Sequence, residues 1–199
     1  MNSLNNISQM PRIGKLEIEN MAEGILDECW YGSYPINVEA ICDYLGIAIV
    51  PVSRLFESFG VDAFIAVDFR TIYVDESEFR KCSSRYRFSI AHEIGHFVLH
   101  REYFPSRVDT LDEWAGAMTR GDCCYIEYQA NHFAGYLLAP ENELVQVLND
   151  EYGGSFARNY YRESRGKYEE VLCVMQRMFY VSEQVIRRRM RDTIYGIDN

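Results

Sequence analysis

Ile90-Ala91-His92-Glu93-Ile94-Gly95-His96 carries two histidines four residues apart, with a glutamate directly after the first. On a helix, residues at i and i+4 lie one turn apart on one face, so both imidazoles project the same way. Two nitrogens placed like this can bind one zinc ion at roughly 2.0–2.1 Å each. Glu93 lies about 100° further round the helix, beside the metal but off the ligand line. From there it can take a proton from a water held at the metal. The flanking residues predict a helix able to bury such a stripe: Tyr86, Ile90, Ile94, Phe97 and Val98 fall near helical spacing, and Pro105 stops the run. The alternative is a surface helix with two solvated histidines. The pattern favours a zinc metallopeptidase.

A catalytic zinc takes three protein ligands and keeps a fourth position for water. One solution is a histidine six residues after the second, beyond a glycine turn. Here Leu99 and Glu102 stand at those positions, so that route fails. The other solution is a glutamate from a separate downstream helix, and the run from Glu127 to Pro140 suits it. Ala130, Ala134 and Gly135 would let this helix pack closely on the first. Glu127 and Asn131 share a face, so Glu127 could bind the metal while Asn131 hydrogen-bonds the far nitrogen of a liganding histidine. A solvated helix carboxylate is an equal reading of Glu127 taken alone. His100, one turn past His96, reads as a supporting group around the metal or a hydrogen-bonded core group. His132 has no assigned role.

These blocks together, from Arg87 to His100 and from Glu127 to Pro140, resemble the ImmA/IrrE family of metallopeptidases. Upstream, Tyr34-Pro35-Ile36-Asn37-Val38 with Ile41, Tyr44, Leu45, Gly46 and Ile47 looks like the family's N-terminal helix and first strand. Downstream, Met178-Phe179-Tyr180-Val181-Ser182 with Val185, Ile186 and Arg188 looks like its C-terminal helix-turn-helix-like element. The resemblance implies His92, His96 and Glu127 as ligands of one zinc ion, with Glu93 as the base. It also implies an α+β, mainly helical, zincin-like domain with a small sheet or hairpin. The implied activity is a cytoplasmic peptidase that cuts a DNA-binding repressor or antitoxin in stress response or in control of a mobile element. Ala139 replaces a usual methionine and Gly135 a common alanine; neither touches the chemistry.

Composition bounds the class. With 199 residues and 48% hydrophobic content, the chain can bury a sizeable core. No apolar run is long enough to span a bilayer, the N-terminus lacks a signal pattern, and no Cys-x-x-Cys pair occurs, so the cytosol is the expected compartment. Cys29, Cys42 and Cys173 are expected as core thiols. Net charge is −10, with 9 basic and 5 acidic side chains in residues 158–192 against 11 and 25 elsewhere. An acidic body argues against nucleic acid as the main ligand and favours a basic protein partner.

The expected organisation is a polar tail over residues 1–14, a peptidase domain over 15–154 and a helical extension over 155–199 packed on it. A first helix from Lys15 to Trp30 should turn Leu16, Ile18, Met21, Ile25, Leu26, Cys29 and Trp30 inward. A second should run from an Asn37 cap to Gly46. Strands are expected at Ile47 to Val52, Ala63 to Val67 and Thr71 to Val74, the last two as a hairpin. The segment Ala63 to Val74 is the candidate edge for holding an extended substrate; an ordinary core hairpin is the equal alternative. Phe104 to Cys124, with Trp114, would line the cleft or act as a lid. A helix should follow Pro140 to about Asn149, and a final pair should span Tyr168 to Tyr180 and Ser182 to Arg191. Arg187, Arg188, Arg189 and Arg191 read mainly as a solvated, structural or partner-binding face rather than a DNA reader. The competing function is a zinc-stabilised module that sequesters a repressor or antitoxin without cutting it.

Overall fold

Helix α1 (Lys15–Cys29) turns Ile18, Ala22 and Leu26 into the core, a stripe with the spacing of successive turns. That stripe fixes the rotation of the helix, so Leu16, expected inward, points out and is 52% exposed. Glu19 goes inward instead. The computed structural model describes residues 12–30, 32–81, 83–103, 123–152 and 165–195. Helix α2 (Val38–Leu45) begins where the Asn37 side chain accepts the Ala40 N–H at 2.9 Å. It ends at Gly46, whose φ of 71° favours glycine.

Strand β1 (Ala48–Val52) leads through a short helix α3 (Leu55–Phe59) to β2 (Ala63–Ile65) and β3 (Thr71–Asp75). The helix α3 has no counterpart in the sequence reading. The sheet order is β1-β3-β2, with β1 parallel and β2 antiparallel to β3. The hairpin forms as expected, but its second strand is central. Ile72 and Val74 are fully buried there, which draws β1 alongside in register from Ala48↔Thr71 to Val52↔Asp75. Of the expected edge Ala63 to Val74, only β2 is an edge.

After α4 (Glu76–Lys81), the Ser83 side chain accepts the Tyr86 N–H and starts the long helix α5 (Ser84–His100). A 3-10 turn (Arg101–Tyr103) follows. Helix α6 (Cys123–Leu138) packs along α5 and α1 and is buried along most of its length. Contact between α5 and α6 depends on Gly95. A Cβ there would stand 3.2 Å from the Ala130 Cα and 3.1 Å from the Phe133 ring. Gly135, expected at the same seam, faces the Arg189 side chain of the last helix instead.

Helix α7 (Glu141–Tyr152) runs three residues beyond its expected end, α8 (Arg165–Phe179) starts a turn earlier, and α9 (Glu183–Tyr195) ends a turn later. Val171, Leu172, Met175 and Phe179 take the inward side of α8, which leaves Cys173 exposed rather than in the core; Cys42 is buried and Cys29 half-buried. Two of the four arginines on α9 are held by acidic partners, Arg187 at the surface and Arg189 in the interior. Arg187 pairs with Glu169 at 2.8 Å and Glu183 at 2.6 Å. Arg189 is 2% exposed, bonds Glu19 at 2.7 Å and donates to the Ala139 carbonyl at 2.8 Å. The chain before Arg12, most of the Phe104 to Cys124 crossing with Trp114, and residues 153–164 lie outside the described residues. Among the described residues no helix is long and apolar enough to cross a membrane.

Candidate metal centre

Close packing of α5 on α6 brings three ligand-type atoms to one point. His92 Nε2 stands 3.0 Å from His96 Nε2 and 3.0 Å from a Glu127 carboxylate oxygen, and His96 Nε2 lies 3.3 Å from the other oxygen. Among the described residues these three form a group able to hold a metal ion. Donors about 2.05 Å from a common centre at tetrahedral angles stand roughly 3.3 Å apart, so the spacing fits a zinc-sized ion. The donor set, two imidazoles and one carboxylate, suits zinc as well. His96 is buried, while the Glu127 side chain is 43% exposed, so the site opens to solvent on the α6 side.

The charges are mutually adapted. Burial works against a charged His92 ring, but the Glu127 hydrogen bond, the Glu93 and Glu127 charges and an Asn131 hydrogen bond outweigh it, and its pKa lies above the usual value. Glu127 is likewise opposed by burial, yet hydrogen bonds from both imidazoles hold its carboxyl far below the usual carboxylate range. Glu93 is 6% exposed, and one of its oxygens accepts the Ile65 backbone N–H of β2 at 2.8 Å. The base candidate therefore sits between the metal helix and the edge strand.

Asn131 lies on the Glu127 face, as the i, i+4 spacing requires. Its amide donates to the Glu127 backbone carbonyl at 2.7 Å, and its side chain is also a partner of the His92 ring. His100 is fully buried with Nδ1 3.0 Å from His96 Nδ1, and burial with the neighbouring His96 holds its pKa down to about 4. Its other nitrogen meets Gln129 Oε1 at 2.9 Å. Sequence reasoning missed Gln129. The available signal was its place one turn after Tyr125 on α6. His132 packs its ring 4.3 Å from Tyr128 and lies 3.9 Å from Asp192, away from the metal group.

No curated protein sequence matches the chain. A family model of the M78 peptidases, described as the IrrE N-terminal-like domain, matches residues 42–191. That span runs from within α2 to within α9 and contains both helices of the candidate metal group. The chain thus belongs to the IrrE-like M78 metallopeptidases, a family of peptide-bond hydrolases.

Proposed function

We propose that this chain is a zinc-dependent endopeptidase that cuts a specific intracellular protein, a DNA-binding repressor or antitoxin. The observation that carries the catalytic reading is the convergence of His92, His96 and Glu127 beside the buried carboxylate of Glu93. A zinc ion held by those three ligands would polarise the scissile carbonyl and acidify a water at neutral pH. Glu93 would accept a proton from the attacking water and pass it to the leaving amine. The Ile65 N–H holds one Glu93 oxygen at 2.8 Å, leaving the other to receive the proton.

The edge strand supports substrate positioning. Ala66 donates to Thr71 at 2.7 Å and Asp75 to Asp62 at 2.8 Å, so the even-numbered residues of this stretch face β3. By the alternation of an antiparallel ladder, Ala63 and Ile65 turn their backbone groups away from β3, with the Ile65 N–H already donated to Glu93. An extended peptide can pair with that edge and bring one carbonyl to the metal centre. The choice of a DNA-binding protein as substrate rests on the resemblance to the ImmA/IrrE family. The net charge of −10, which suits a basic partner, is in keeping with it.

Zinc-loaded wild type and Glu93→Gln, incubated with native lysate and followed by mapping of new protein N-termini, test this reading. Wild-type-only cuts concentrated in one DNA-binding protein are expected. Many unrelated cuts would replace it with a general protease. Zinc bound in both samples with no cuts would favour a module that sequesters its partner.

A further inference from the structure

Behind His96 runs a line of hydrogen-bonding groups that ends at the start of α1. His96 Nδ1 stands 3.0 Å from His100 Nδ1, and His100 Nε2 stands 2.9 Å from Gln129 Oε1. The Gln129 amide donates to the Ile13 carbonyl at 3.4 Å, where the Tyr125 hydroxyl also donates at 3.3 Å. His96, His100 and Gln129 are each at most 3% exposed, so a mismatched pair here could not turn to water.

The last group fixes the polarity of all the others. A carbonyl only accepts, so Gln129 must present its NH2 to Ile13 and its oxygen to His100. That oxygen also only accepts, so His100 Nε2 must carry a proton. As a neutral ring, His100 then has a bare Nδ1, which must accept from His96. His96 Nδ1 is left as the donor, so its Nε2, which faces His92 and Glu127, is the nitrogen that could offer a lone pair to a metal ion. Most liganding histidines take this orientation from a carboxylate, a backbone carbonyl or water.

We propose that His100 and Gln129 are positioning residues that set the His96 tautomer, with the Ile13 carbonyl as the fixed end of a one-way donor chain. The inference rests on the reading of His96 as a metal ligand, and its direction of hydrogen bonding can be read without metal. The neutral acceptor gives His96 its orientation without adding a negative charge behind the ring. The backbone just before α1 is thereby linked to the candidate metal centre through the side chains of Gln129, His100 and His96.

The test combines ring 15N NMR of the metal-free protein with zinc affinity from chelator competition. Wild-type His100 is expected as the Nε2–H tautomer. His100→Leu should weaken zinc binding about 10–100-fold. His100→Asn, whose oxygen can accept at the Nδ1 position, should stay within about threefold of wild type, a rescue that lost packing alone would not give. Gln129→Leu should shift the His100 tautomer population, and serves if His100→Leu fails to fold. An Nδ1–H His100 in the wild type, or a folded His100→Leu with unchanged affinity, would overturn the proposal. Failure of the wild type to bind any divalent ion would instead remove the metal-site reading, leaving the NMR result to decide the direction of the chain.

Discussion

Glu93 and Ile65 are joined by a 2.8 Å hydrogen bond from the strand backbone to the helix carboxylate. The proposed proton acceptor and the proposed peptide-holding edge are therefore one mechanical unit, and a substitution at Glu93 can separate chemistry from architecture. In Glu93→Gln the amide oxygen still accepts the Ile65 N–H, so the fold and metal content should be unchanged. Turnover should fall about 10²–10⁴-fold, the usual worth of a general base. Zinc stoichiometry and single-turnover cleavage measure the two separately. His92→Ala should do the reverse first and lose the metal; full loading in that variant would remove His92 from the ligand set.

Gly95 should tolerate no side chain without cost. The Ala130 Cα at 3.2 Å is backbone and cannot rotate away, so Gly95→Ala must push α5 and α6 apart. A loss of about 1–3 kcal/mol in denaturant unfolding is expected, as for other overpacked cores. The same displacement separates His92 and His96 from Glu127, so zinc affinity should drop with it. Unchanged affinity would show that the site adapts independently of the helix seam.

Arg189 and Glu19 should behave as a buried pair. Arg189→Met leaves the Glu19 carboxylate buried without a partner, and about 3–5 kcal/mol of stability should disappear. Combining it with Glu19→Leu should recover much of that loss, because the uncompensated charge goes too. Thermal unfolding of the two single variants and the double variant measures the coupling; simple additivity would contradict a direct pair.

Asp75 gives the fold an acid-sensitive element. Hydrogen bonds from Ser77, first its hydroxyl, and from the Phe56 backbone N–H hold its pKa at about 2. An unfolded aspartate titrates near ~3.9. The stabilisation is therefore complete above that value and is lost as pH falls towards 2. Asp75→Asn should flatten the stability curve between about pH 4 and pH 2. An equally steep acid limb in the variant would assign it to other carboxylates.

How much of this was legible in sequence depended on the range of the interaction. His92, Glu93 and His96 lie within one turn and a half of one helix, and local spacing places them. Glu127 and Asn131 share a helix face for the same reason. The link from His100 to Gln129 was not legible, because it depends on the axial register of α5 against α6, which Gly95 sets through contact rather than pattern. Arg189 read as one of a surface cluster of arginines. Its partner is 170 positions away, and only the packing of α9 on α6 turns it inward. Leu16 and Cys173 erred the other way: each lies near apolar neighbours, but Ile18 on α1 and Leu172 on α8 fix the helix rotation that puts them outside. The strand runs were clear, while the central position of β3 was not, because composition does not say which neighbour a parallel strand will take.

The Glu19–Arg189 pair also sets an order of events. A ribosome makes α1, the sheet and both helices of the candidate metal group before it reaches residue 189. Until then Glu19 has no guanidinium and the Ala139 carbonyl no donor, so the nascent core carries an unneutralised charge between α1 and α6. Closing a loop of that length is slow compared with forming the individual helices. A chain interrupted before α9 would hold every residue of the metal group and still lack the guanidinium that joins Glu19 of α1 to the Ala139 carbonyl after α6. Assembly of the domain is thereby coupled to synthesis of α9, and products terminated before residue 189 would carry the histidine motif without the buried Glu19–Arg189 pair.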